Sequence, residues 1–89
     1  MKNKVLIKLS VPEINGTFDI FIPTNELIWK IKKLIVKSVN DLTGESLDLS
    51  KDYVLLNAHT GQVYTNNITV FETDIRNATE LVLILQKSN

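Results

Sequence analysis

The spacing of apolar residues along this chain switches between two periods, and the switch separates sheet from helix. From Lys4 to Val11 aliphatic and β-branched residues alternate, with Val5, Ile7 and Leu9 on one side and Leu6, Lys8 and Ser10 on the other. A period of two is what a strand imposes. Pro12-Glu13-Ile14-Asn15-Gly16 then supplies turn chemistry, Asn15 and Gly16 both tolerating positive φ. Thr17 to Ile22 resumes the alternation, Phe18, Ile20 and Ile22 inward and Asp19 and Phe21 outward. The two runs predict an amino-terminal hairpin.

Pro23-Thr24-Asn25-Glu26 reads as a helix start, with Thr24 or Asn25 able to cap free amides and Glu26 suited to the positive end of the helix dipole. From there to about Asp41 the apolar positions recur at the helical period of about 100° per residue. Leu27, Ile31, Leu34, Ile35, Ser38 and Leu42 fall on one face, flanked by Ile28 and Val39. Gly44 is placed to end the helix as its C-cap.

The segment Glu45 to Asp52 is polar and acidic, and predicts an irregular or single-turn connection pinned by Leu47 and Leu49. Tyr53 to Leu56 reads as a third strand, Asn57 to Gly61 as a turn, and Gln62-Val63-Tyr64 as a short fourth strand. Ile68 to Ile75 carries no clear period. Arg76 to Thr79 is a turn before a final apolar strand, Leu81 to Leu85.

At 89 residues the chain is expected to form a single domain over 1–89, and 44% hydrophobic with 22% charged residues argues against disorder. Ten basic residues balance ten acidic ones, so no overall field would attract nucleic acid or an anionic membrane. Without Cys there is no disulfide or thiolate chemistry, and a single histidine, His59, makes a histidine-based zinc site improbable. Lys8 interrupts the first apolar run, no cleavage site follows it, and no stretch approaches the roughly 18 apolar residues of a spanning helix. The expectation is a cytoplasmic protein with no cofactor, no metal and no direct membrane insertion.

Candidate chemistry is sparse. His59 stands in a turn with no Ser nucleophile motif around it, and is read as a solvated side chain. Asn15-Gly16-Thr17, Asn67-Ile68-Thr69 and Asn77-Ala78-Thr79 match glycosylation sequons but are read as turns. Asp41, Glu45, Asp48 and Asp52 lack the glycine and ligand spacing of a calcium loop. No constellation of converging polar groups suggests an enzyme.

Strand, strand, helix, strand, short strand, strand is the order of the ubiquitin-like β-grasp: an α+β fold with a mixed sheet of about five strands packed on one main helix. In that fold the first and last strands lie parallel at the sheet centre, and the apolar density of Val5 to Leu9 and Leu81 to Leu85 suits those positions. More specifically, the chain resembles the YukD and EsaB group, the small ubiquitin-like proteins of Gram-positive type VII secretion systems. The stretches that carry the resemblance are Val5 to Pro23 with its Gly16-Thr17-Phe18-Asp19-Ile20-Phe21-Ile22-Pro23 run, the helix from Leu27 to Leu42, and Thr69-Val70 through Asp74-Ile75 to Glu80-Leu81-Val82-Leu83. The resemblance implies a cytosolic accessory factor for export of small helical-hairpin WXG-motif proteins. It implies a protein partner, a membrane-associated component of the system. The last strand runs into Gln86-Lys87-Ser88-Asn89 with no Gly-Gly pair, an expectation against a conjugated tag and for surface docking. The alternative is a regulatory ubiquitin-like interaction domain unconnected to secretion.

Two docking faces are expected. Trp29 and Val36, seven residues apart, fall about 160° and 140° from the centre of the face chosen above and form an outward stripe, with Lys33 between them and Lys30 and Lys37 nearby. An aromatic anchor with a basic rim suits a partner with an apolar centre and acidic edge. The plainer alternative folds Trp29 against the loop from Glu45 to Leu49. On the sheet face away from the helix, alternation places Leu6, Phe21, Val82 and Ile84, with Leu55 if the third strand keeps that phase. Leu6, Val82 and Ile84 are expected to meet on central strands. The alternative there is cover by lysine stems and loops, and homodimerisation through this face is a separate option.

Overall fold

The computed structural model describes residues 3–44 and 46–87. Glu45 of the acidic stretch and Ser88-Asn89 of the terminal tetrapeptide lie outside the described residues.

The hairpin forms as expected. β1 (Lys4–Val11) and β2 (Gly16–Pro23) pair antiparallel, with Ile7 opposite Ile20 and Leu9 opposite Phe18. A turn of 3-10 helix at Pro12–Ile14 links them, and it is Asn15, at φ 56°, that takes the left-handed conformation. Gly16 is needed for space: a Cβ there would stand 2.7 Å from the Phe18 ring.

β3 (Tyr53–Asn57) and β4 (Glu80–Leu85) complete a four-stranded sheet in the order β2-β1-β4-β3. β1 and β4 are parallel, in register from Lys8 opposite Glu80 to Ser10 opposite Val82, and β3 runs antiparallel to β4. This is the β-grasp arrangement, with two apolar central strands side by side. The short fourth strand expected at Gln62-Val63-Tyr64 does not form, which leaves four strands where the sequence predicts about five. Val63 makes one isolated bridge to Leu56, because Asn57 and Tyr64 redirect the chain there through side-chain hydrogen bonds.

α1 (Ile28–Thr43) crosses one face of the sheet. Its start is two to three residues later than the capping residues Thr24 and Asn25 predict: Leu27 is the N-cap, and Thr24 Oγ1 donates to the Asn3 carbonyl. The amides of Ile28 and Trp29 donate to the carbonyls of Ile68 and Asn66, so the segment before the 3-10 turn Val70–Glu72 caps the helix with backbone. Gly44, at φ 79°, ends α1 as expected, its amide donating to the Asn40 carbonyl at 2.8 Å.

The buried stripe of α1 is Ile28, Ile31, Ile35, Val36, Val39 and Asn40. It is rotated from the expected face. Leu42 is exposed, and Val36 is only 4% exposed, which corrects the outward position expected for it. The rotation has a physical cause: residues 46–52 fold against the Val36 side of the helix, so that side is covered by chain as well as by sheet. At roughly 1.5 to 3 kcal/mol for each large aliphatic side chain buried, Ile28, Ile31, Ile35 and Val39 with Ile7, Leu9, Leu55, Leu81 and Leu83 supply the main stabilising term. Leu55 belongs to this core at 0% exposure, and its expected place on the open face is corrected: Tyr53, Leu55 and Asn57 point inward, while the less buried Val54 and Leu56 take the outward positions.

Candidate functional site

Two surfaces gather apolar residues that the core leaves over. The first is a groove of about 380 Å³ between α1 and the segment that follows it, while Leu42 and Phe71 are exposed outside the groove. Trp29, Lys33, Val36 and Lys37 reach it from α1, spaced so that one side of the helix presents all four. Val36 forms buried floor, while Trp29, at 38% exposure, stands at the edge. From the other side come Leu49, 68% exposed, and Lys51 and Asp52, with Tyr53 at the start of β3.

The loop wall is fixed by polar contacts. Asn40 Nδ2 donates to the Leu47 carbonyl at 2.9 Å, and the Leu47 amide donates to Asn40 Oδ1 at 2.8 Å. Leu47 is thereby seated in the core, whereas Leu49, expected to pin the loop as well, is left to the groove. The Tyr53 hydroxyl donates to the Asp48 carbonyl at 2.9 Å, and burial pushes that phenol's pKa up. Asp48 Oδ1 accepts from both the hydroxyl and the amide of Ser50, which holds its carboxyl below the usual range.

Electrostatically the groove is basic. Four lysines line it, Lys32, Lys33, Lys37 and Lys51, against one carboxylate, Asp52. Lys32 Nζ donates to the Tyr53 carbonyl at 2.9 Å; desolvation lowers its pKa, with Asp52 opposing the shift. Lys37 reaches Asp41 at 3.8 Å along the exposed helix surface. Lys30 lies outside the groove, with its ammonium 5.5 Å from the Trp29 ring centroid and 3.8 Å from Glu26. Among the described residues, Lys33 and Lys51 make no ion pair.

The second surface is the open face of the sheet. Val82 and Ile84 of β4 stand opposite Leu56 and Val54 of β3 and are half-buried, with Val63 bridged to Leu56 at the border. Leu6 does not join them. The Ala78 amide donates to the Leu6 carbonyl, and Val82 is level with Ser10, four residues further along β1, or about 13 Å at about 3.3 Å per residue. Leu6 instead pairs with Phe21, 62% exposed, on β2. Lys8, flanked by Asp19 and Glu80, separates the two apolar groups.

Among the described residues no group of three His, Cys, Asp or Glu side chains converges to hold a metal ion. His59 is solvated, its Nε2 3.1 Å from Glu80. Tyr64 is buried, donates to Asp74 Oδ1 at 2.6 Å and accepts from Asn57 Nδ2 at 3.2 Å. Desolvation and the Asp74 carboxylate push its phenol up to about 12. That trio braces a loop.

Lys32, Lys51, Leu49 and Tyr53 are groove residues that sequence reasoning missed. Lys51 and Leu49 sit in a segment without period, and the Asn40 clamp with the Tyr53–Asp48 bond holds that segment against the helix. Asn40 was the available signal: an amide in the interior of an amphipathic helix needs a backbone partner.

No family model matches the chain, and no curated protein matches it by sequence. Solved structures do match by shape. The ubiquitin-like domain of EccD5 from Mycobacterium xenopi superposes with a TM-score of 0.81 at 13% identity, covering 97% of this chain and 98% of that one. The fold is that of ubiquitin-like domains. A chain of the MycP5-free ESX-5 inner membrane complex gives 0.79 at 15% identity, 98% of this chain matching 22% of that much longer one. The ubiquitin-like domain of Plasmodium falciparum Dsk2 gives 0.71 at 10% identity, covering 93% and 99%. The described residues include no helix long and apolar enough to cross a membrane.

Proposed function

We propose that this protein is a non-enzymatic ubiquitin-like adaptor of a type VII secretion system, of the YukD and EsaB kind, acting in the cytoplasm by docking onto a membrane-associated component of the machinery. The observation that carries the reading is the end-to-end likeness to the EccD5 ubiquitin-like domain, 97% of one chain against 98% of the other. It is supported by two groupings of apolar residues, one in a basic groove and one on the β3–β4 half of the open sheet face. Both features suit protein recognition, and neither supplies a nucleophile, a general base or a metal site. Trp29, Lys33 and Val36 serve the groove; Val82 and Ile84 serve the sheet face, with Leu6 and Phe21 as a separate minor group.

The second reading, a regulatory ubiquitin-like interaction domain outside secretion, draws on the likeness to the Dsk2 domain. Deleting and restoring the gene in its bacterium separates the two. The proposal expects export of WXG-motif proteins to fall on deletion and to return with the restored protein. Unchanged export, with every other component of the system expressed, favours the second reading.

A further inference from the structure

We infer that the groove between α1 and the 46–52 segment recognises an acidic protein segment, one apolar side chain flanked by carboxylates. The inference rests on the docking role proposed above and names the partner's chemistry at that site. In a chain whose charges cancel, the groove collects four lysines against the single Asp52, so its local sign is set apart from that of the molecule. Lys33 and Lys51 make no ion pair among the described residues, and Lys37 holds Asp41 only by an exposed contact at 3.8 Å, the kind of pair that a new carboxylate displaces at little cost.

The apolar part selects the shape of the occupant. Val36 is the buried floor and Trp29 and Leu49 are exposed at the margins, so the site is concave and accepts one projecting side chain. A flat anionic bilayer could meet the lysine rim without filling the floor. A nucleic-acid backbone would meet the charge but not the aliphatic surface. A peptide that carries both features satisfies both. The wall is also pre-formed, since the two Asn40 hydrogen bonds and the Tyr53–Asp48 bond hold the loop before any partner arrives, which lowers the ordering cost of binding.

The test is selection of binders from a displayed random-peptide library on the purified protein, followed by affinity measurement with the enriched peptides and with vesicles of phosphatidylcholine and phosphatidylserine. The expected result is enrichment of sequences in which an aliphatic or aromatic residue is flanked by Asp and Glu. Shift perturbations on binding should centre on Trp29, Lys33 and Val36, and affinity should drop roughly tenfold or more for the K33E/K51E double variant. Both lysines are exposed, so the variant should melt with the wild type. Failure to enrich acidic peptides, binding unaffected by K33E/K51E, or charge-dependent vesicle binding in place of peptide binding would overturn the inference. Such a result leaves the secretion reading standing on the sheet face. Normal export in the deletion strain would remove the secretion reading and leave the groove's chemistry intact.

Discussion

Asn40 holds the backbone of Leu47 from both sides, donating to its carbonyl at 2.9 Å and accepting its amide at 2.8 Å, and this clamp is what turns an irregular loop into the wall of a groove. The pair is buried, so neither Leu47 group has water as a substitute. Asn40→Ala strands both, and the expected cost is about 2 to 4 kcal/mol in chemical denaturation, with faster hydrogen exchange through residues 46–52 than elsewhere. Asn40→Asp keeps the acceptor and loses the donor, and should be destabilised as well, since it turns a carboxylate oxygen toward the Leu47 carbonyl. Wild-type stability in both variants would show that the clamp is dispensable.

Replacing Trp29 is expected to separate binding from folding. The indole is partly covered, so Trp29→Ala should cost about 1 to 2 kcal/mol, well below the 2 to 5 kcal/mol expected of Ile35→Ala in the core. Its effect on partner capture should be the larger of the two. A melting temperature as low as that of Ile35→Ala would make Trp29 a core residue.

Tyr64 gives a pH signature. Its phenol is raised in the folded state to about 12 from an ordinary value of 10.0, because burial and the neighbouring Asp74 carboxylate both oppose ionisation. A raised acid favours its protonated form on folding, so its contribution is complete below pH 10, declines as pH rises through 12, and amounts to roughly 2 to 3 kcal/mol. Tyr64→Phe loses the bond to Asp74 at neutral pH, and its stability deficit against the wild type should shrink between pH 10 and 12. A constant deficit across that range would rule the coupling out.

Gly44 closes α1 in the left-handed conformation at φ 79°, with open space around its Cα. Gly44→Ala therefore meets no clash and reports backbone strain alone, an expected loss of about 1 kcal/mol by thermal melting. Gly44→Asn should recover part of it.

The topology was legible in the sequence because the signals were redundant. Val5 to Leu9 and Leu81 to Leu85 are too apolar for edge strands, and the hairpin register follows from one alternation on each side of Pro12 to Gly16. Side-chain phase was less legible where both faces are apolar. Tyr53-Val54-Leu55-Leu56 reads equally well in either phase, and the inward choice of Leu55 is decided by its pairing with Leu83 on β4. For α1, the face holding Leu27, Ile31, Leu34, Ile35, Ser38 and Leu42 is the one that cover by the sheet alone would select. The second cover, the clamped loop, pulls Val36 and Asn40 in and lets Leu42 out. That contact joins residues without any shared period, and its one trace in the chain is Asn40, an amide within an amphipathic helix.

The proposed function requires non-covalent docking to the secretion machinery. The most direct measurement is isolation of the detergent-solubilised type VII membrane complex from cells carrying a tagged copy of this protein, with intact-mass analysis of the tagged chain. The expected result is that the chain co-purifies at unmodified mass and is lost from the complex when K33E/K51E or Ile84→Asp blocks the surface it uses. A covalent adduct on the chain, or its absence from a complex that still exports WXG-motif proteins, would refute non-covalent docking.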